Sequence, residues 1–219
     1  MIMQAKPRSG RGKRLTSIYQ LHVLLNGTQP PIWRRLQVPG AANLGWLHSV
    51  LQVAMGWTNS HLHQFICGNE MYADPSAGLD QNGDVLNENK FTLSELLTDG
   101  QKMLIYEYDF GDSWQLIVTL EKICPGNASK EAPAVCLAGS RACPPEDCGG
   151  ISGYVDLLQA LRNKKHPEHR SMKEWLGRPF DSEFFDVEKA NYWLQKLKWP
   201  RVTESQLRKI LMARNGYQE

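Results

Sequence analysis

The sequence predicts an α+β protein: an antiparallel sheet with helices packed on one side and a C-terminal part that is mostly helical. Three observations carry that expectation. Alternating apolar and polar runs occupy the first part of the chain, helix-period patterns dominate beyond Gly150, and strands do not alternate with helices as in parallel βαβ sheets. With 219 residues the chain can bury roughly 70% of its unfolded surface, so its core requires neither metal nor disulfide.

Taken in order, Ile18 to Leu25 places Tyr19, Leu21, Val23 and Leu25 on one face of a strand, and Asn26-Gly27 turns the chain. Pro30-Pro31 keeps the approach to a second strand, Ile32 to Val38, extended. Asn43 caps a helix running to about Met55, with Leu44, Leu47, Leu51 and Ala54 as its apolar stripe and Gly56 as its stop. His61 to Cys67 reads as a strand, and residues 74–90 as a polar loop. Thr92 and Glu95 form a capping box, with Phe91 and Leu96 placed as a hydrophobic staple. Lys102 to Asp109 and Trp114 to Glu121 make a hairpin around Phe110-Gly111-Asp112-Ser113. A loop rich in Pro, Gly and Cys runs from about Cys124 to Gly150. Helical faces follow, one with Tyr154, Leu157, Leu158 and Leu161 and another with Val187, Ala190, Leu194 and Leu197. Between them Pro167 opens a short helix that ends near Gly177. The expected organisation is a basic flexible tail over 1–16, a single α+β domain over 17–200, and a peripheral charged tail over 201–219.

A formal net charge of +2 gives no general case for nucleic-acid binding, although Lys6, Arg8, Arg11, Lys13 and Arg14 make the N-terminal stretch basic. Apolar runs fall short of a membrane span and of a signal peptide, which leads to the expectation of a cytoplasmic protein with no membrane partner. Five cysteines, an odd number, argue against a disulfide framework.

Several constellations carry chemistry. On a strand His61 and His63 project from one face about 7 Å apart and can share a metal, with His48 on the preceding helix as a third imidazole; packing is the ordinary use of such a pair. Cys136, Cys143 and Cys148, with Cys124 upstream, offer thiols for a structural zinc, but their spacing is not the CxxC knuckle, and reduced packed thiols are the default. Glu146 and Asp147 precede Gly149-Gly150 and suit an acid, base or metal ligand, or simply a solvated turn. Asp109 and Asp112, flanked by Tyr108 and Trp114, suit a hairpin turn or the rim of a pocket. Asp109-Phe110-Gly111 matches a kinase magnesium motif without its accompanying motifs, and that reading fails. Trp33 beside Arg34 and Arg35 suits an anion or base contact, with solvent-seeking arginines as the plainer expectation.

Together these stretches resemble a known family. Pro30-Pro31-Ile32-Trp33-Arg34-Arg35, Leu47-His48 through Trp57, His61-Leu62-His63-Gln64-Phe65 and Tyr106 through Asp112 are similar to segments of the plasmid pRiA4b ORF-3-like family. So are Arg141 through Gly150 and the Gly153-Tyr154 pair. The family's Trp-Glu-His is here Trp114-Gln115-Leu116. The resemblance spans about residues 17–199 and implies an α+β domain and an association with plasmids or mobile elements, with no established activity. Two functions follow as expectations. The first is a non-catalytic accessory module that binds a protein or nucleic acid through residues such as Trp33, Arg34, Tyr108 and Trp114. The alternative is a metal-dependent hydrolytic enzyme using His48, His61 and His63 with Asp109, Asp112, Glu146 or Asp147.

Overall fold

The alternating segments pair into one eight-stranded sheet. The strands are β1 (Ile18–Leu25), β2 (Ile32–Pro39), β3 (His63–Cys67), β4 (Glu70–Ala73), β5 (Val85–Asn87), β6 (Met103–Tyr108), β7 (Trp114–Cys124) and β8 (Val135–Ser140). The computed structural model describes residues 17–80, 83–126 and 134–216; the basic tail expected over 1–16 lies outside the described residues. The strand order is β5-β4-β3-β6-β7-β1-β2-β8, antiparallel at every pairing except the parallel β4–β5 edge. The helices are α1 (Leu44–Met55), α2 (Leu93–Leu96), α3 (Gly150–Arg162), α4 (His169–Leu176), α5 (Val187–Leu194) and α6 (Glu204–Asn215).

Register turns the alternation into one buried face. Leu25 lies opposite Leu116, Leu116 opposite Tyr106 and Tyr106 opposite Phe65, and all four are buried. A slip of one residue would carry this whole row to the other face, so burial fixes the pairing. Helix α1 lies on that face. Asn43 caps it by accepting from the Trp46 N–H at 2.9 Å, Gly56 ends it in the left-handed region, and every residue except Gly45 is buried. A helix buried nearly all round needs a second layer, and α1 contacts α5 and α6 on its far side. The capping box of Thr92 and Glu95 starts α2 as expected.

The structure differs from the sequence reading in several places, among them β4, which the sequence reading does not contain. The strand expected from His61 begins at His63, because pairing with β6 starts at His63 opposite Tyr108. The segment read as a loop over 74–90 holds β5, three residues too short to show alternation. The Cys-rich loop holds β8, an edge strand whose register shifts beside Arg35 and Leu36, which scrambles its apolar pattern. Finally, α6 falls in the stretch expected to be a peripheral charged tail. It instead sends Leu207 and Leu211 into the core, two apolar positions among charged residues.

Candidate metal centre

Three segments meet where β6 ends. Asp109 follows β6 at φ 59°, a left-handed conformation for a non-glycine residue. Its Oδ1 accepts from the Gly111 and Asp112 N–H groups at 3.0 and 3.3 Å, an Asx turn that leaves Oδ2 free to face His61. Two residues ahead of β3, His61 places Nε2 3.5 Å from Asp109 Oδ2 and 3.1 Å from Asp147 Oδ1. Asp147 also has positive φ, at 60°, and comes from the loop leading to α3. Left-handed conformations in non-glycine residues cost of order 1–3 kcal/mol each and gather at functional sites.

The loop is held tightly against the hairpin. Asp112 Oδ2 accepts from the Gly149 N–H at 3.2 Å. Gly150 has φ 66°, and a Cβ there would sit 2.6 Å from the Asp112 carbonyl oxygen. At Gly153 a Cβ would meet the Cys148 carbonyl oxygen at 1.8 Å, so any side chain would push the Asp147 turn away from α3.

Among the described residues, His61, Asp109 and Asp147 are the group whose donor atoms all lie within 4.8 Å of one another. Ligand atoms about 2.1 Å from one metal lie about 3.0–3.5 Å apart at octahedral or tetrahedral angles, and the distances from His61 match. The His61 Nε2 atom is shielded from solvent yet forms a hydrogen bond with neither carboxylate. The three donor atoms therefore lie together with no hydrogen bond joining the imidazole to either carboxylate. Asp109 is buried, whereas Asp147 is exposed, so one side of the trio faces solvent. Leu62 and Phe110, the residues after His61 and Asp109, are exposed apolar side chains.

The other two imidazoles go elsewhere, which corrects the three-histidine expectation. His48 and His63 stack with ring centroids 3.7 Å apart. His63 Nε2 meets the buried Glu88 carboxylate at 2.9 Å, and His48 Nδ1 meets the Tyr106 hydroxyl at 2.9 Å. That hydroxyl also accepts from Gln52 Nε2 at 2.9 Å, which leaves its own proton for His48. Burial first, then His63, holds His48 well below the usual imidazole range and so neutral, while burial raises Tyr106 well above the phenol range. Glu88 was missed because it sits in the stretch read as a loop. His48 and Gln52, four residues apart in an apolar helix, were the legible signal of this network.

Several expected contact residues are interior. Arg34 does not seek solvent: it is 1% exposed, donates to the carbonyls of Ala54, Trp33 and Ser140, and lies 3.6 Å from the Phe185 ring centroid. Burial lowers its pKa to about 10, which still leaves it charged at neutral pH. Trp114 is fully buried against Trp57, Tyr108 is fully buried, and Tyr154 is packed near Phe180, so none of them rims an open pocket. Trp33 and Arg35 lie on the opposite face of the sheet. There Trp33 stacks on His22, and Arg35 pairs with Glu121 at 2.7 Å. Cys136, Cys143 and Cys148 do not bring three thiols within the 4.8 Å that gathers the His61 trio, and Cys124 adds no such group. Burial pushes the Cys136 thiol up to about 11 and Cys148 up to about 12, and it raises Cys143 further.

The fold and this site define an α+β protein in which a buried-face antiparallel sheet carries a His/Asp/Asp cluster at the end of a central hairpin. The chain belongs to the plasmid pRiA4b ORF-3-like protein family, whose profile matches residues 17–189. A relative from Sinorhizobium fredii, uncharacterized protein y4hQ, is 35% identical over 178 residues, covering 81% of this chain and 88% of its own. A crystal structure of a protein of unknown function, MM3350 from Methanosarcina mazei Go1, is similar at a TM-score of 0.72 and 37% identity. That likeness covers 80% of this chain and 97% of the other. Among the described residues, no helix is long and apolar enough to cross a membrane.

Proposed function

We propose that this protein binds a divalent cation through His61, Asp109 and Asp147 and uses it for hydrolysis. The observation that carries the reading is the shielded His61 Nε2, 3.1 and 3.5 Å from two carboxylate oxygens without a hydrogen bond to either. One imidazole and two carboxylates suit a cation of the Mn²⁺ or Zn²⁺ type. Such a cation supplies a bound water acidic enough to act as a nucleophile near neutral pH. The chain supplies the rest. The Asx turn fixes the Asp109 oxygen, and exposed Asp147 keeps the solvent side open to a substrate. The test is metal analysis of protein purified without chelator and reloaded with Mn²⁺. Near-stoichiometric metal that is lost in Asp109→Asn supports the reading, and equal metal in both proteins removes it.

A second reading, an accessory module that binds a nucleic acid for a plasmid or mobile element, has one specific support. Trp33 lies on the open sheet face between His22, at a ring distance of 5.5 Å, and the Arg35 guanidinium at 5.3 Å, an arrangement that suits base stacking. It predicts that single-stranded DNA is retarded by the protein and released by Trp33→Ala; no retardation at low salt counts against it.

A further inference from the structure

The residues just ahead of His61 are held in an unusual way. Three successive backbone N–H groups donate to side chains from three separate parts of the fold. Thr58 donates to Glu146 Oε2 at 3.0 Å, Asn59 to Gln52 Oε1 at 2.9 Å, and Ser60 to the Tyr108 hydroxyl at 3.0 Å. A loop whose amides are used in this way has little freedom left, and His61 inherits its position.

Glu146 does more than its neighbours in this clamp. One of its oxygens takes both the Thr58 N–H and the Thr58 hydroxyl, and the other takes the Tyr108 hydroxyl proton. Both oxygens are therefore committed to protein donors, and Glu146 is not free to be a ligand itself. The residue after it is Asp147, held in the left-handed region. A single carboxylate thus ties together the loop that carries His61, the strand that ends at Tyr108 just before Asp109, and the turn that presents Asp147.

We propose that Glu146 is the positioning residue of the cation site, setting the spacing of His61, Asp109 and Asp147 through Thr58 and Tyr108. This rests on the cation reading above and adds to it the group that pre-organises the ligands. Outer partners of this kind commonly change metal affinity by about 10–100-fold when replaced. Glu146→Gln keeps the size but turns an NH₂ group toward either Thr58 or Tyr108, both of which are donors.

The experiment compares the full-length protein with Glu146→Gln, Glu146→Asp and Asp147→Asn. It measures Mn²⁺ affinity by calorimetry, the visible spectrum of the Co²⁺-loaded protein, and the thermal midpoint without metal. The expected result is Mn²⁺ binding weakened about 10–100-fold in Glu146→Gln with an altered Co²⁺ spectrum. Glu146→Asp should recover part of the affinity, and Asp147→Asn should lose more than either. If Asp147→Asn abolishes binding while Glu146→Gln stays within about threefold of the unmodified protein, the positioning role is overturned and the cation reading stands. If Asp147→Asn binds Mn²⁺ normally, the cation reading fails and takes this one with it. Should Glu146→Gln fail to fold, Tyr108→Phe removes one donor from Glu146 at constant shape. An unchanged affinity and Co²⁺ spectrum in that variant would equally overturn the role.

Discussion

At the scale of single residues, interior polar groups explain more of this molecule than surface ones. Arg34 carries its charge into the core with carbonyl oxygens and an aromatic face as partners. Arg34→Ala should lower stability by about 3 kcal/mol in urea unfolding, because it leaves three carbonyls without their donor and opens a cavity. His48 gives a pH signature. Its folded pKa lies below the unfolded value of 6.5, so between those two values the unfolded chain binds the extra proton and stability rises with pH. Unfolding measured across this range should show stability falling as pH drops below about 6.5, by up to about 1.4 kcal/mol per pH unit from this group, and His48→Gln should flatten that slope. The cysteines behave as packing groups. With Cys136 near 11 and Cys148 near 12, thiolate fractions at pH 7.5 are on the order of 10⁻³ or less, and iodoacetamide should leave both unmodified in the native protein. Residue identity alone could not place these groups. The expectation that Arg34 would snorkel failed because Phe185 covers its guanidinium and Ser140, at the end of the neighbouring strand β8, accepts from it, long-range partners with no local signal.

At the scale of elements, strong periodicity was legible and short or covered elements were not. Strands β1, β2, β6 and β7 and helix α1 follow from alternation, stripes and caps written in adjacent residues. Strand β8 is stabilised by β2, a neighbour distant in sequence, and strands of four or three residues such as β4 and β5 have no room for a pattern. The histidine pair shows the same limit. Equal parity placed His61 and His63 on one face, but the strand starts between them, so His63 joins the His48 stack while His61 turns toward the hairpin. Helix α6 looked peripheral because only two of its positions are buried. Leu211→Ala should cost about 2–4 kcal/mol, a cavity penalty that a solvated tail could not produce, and chemical denaturation reads it directly.

At the scale of the whole molecule, one covered sheet face organises two polar systems side by side. The His48, His63, Glu88 and Tyr106 network lies beneath α1, and the His61, Asp109 and Asp147 trio lies at the end of β6 where the chain opens to solvent. Gln52 joins them, bonding Tyr106 on one side and the Asn59 amide on the other. The convergence of the histidine segment, the aspartate hairpin and the proline-acid-glycine loop was legible as motifs. Which atoms would meet was not, because that depends on left-handed turns at Asn59, Asp109 and Asp147, none of them glycine. The most direct test is a crystal of the protein grown with Mn²⁺ and measured at the manganese absorption edge. A single anomalous peak about 2.2 Å from His61 Nε2, Asp109 Oδ2 and Asp147 Oδ1 is the predicted result. Density at full occupancy elsewhere, or no peak among these three atoms at saturating Mn²⁺, would contradict it.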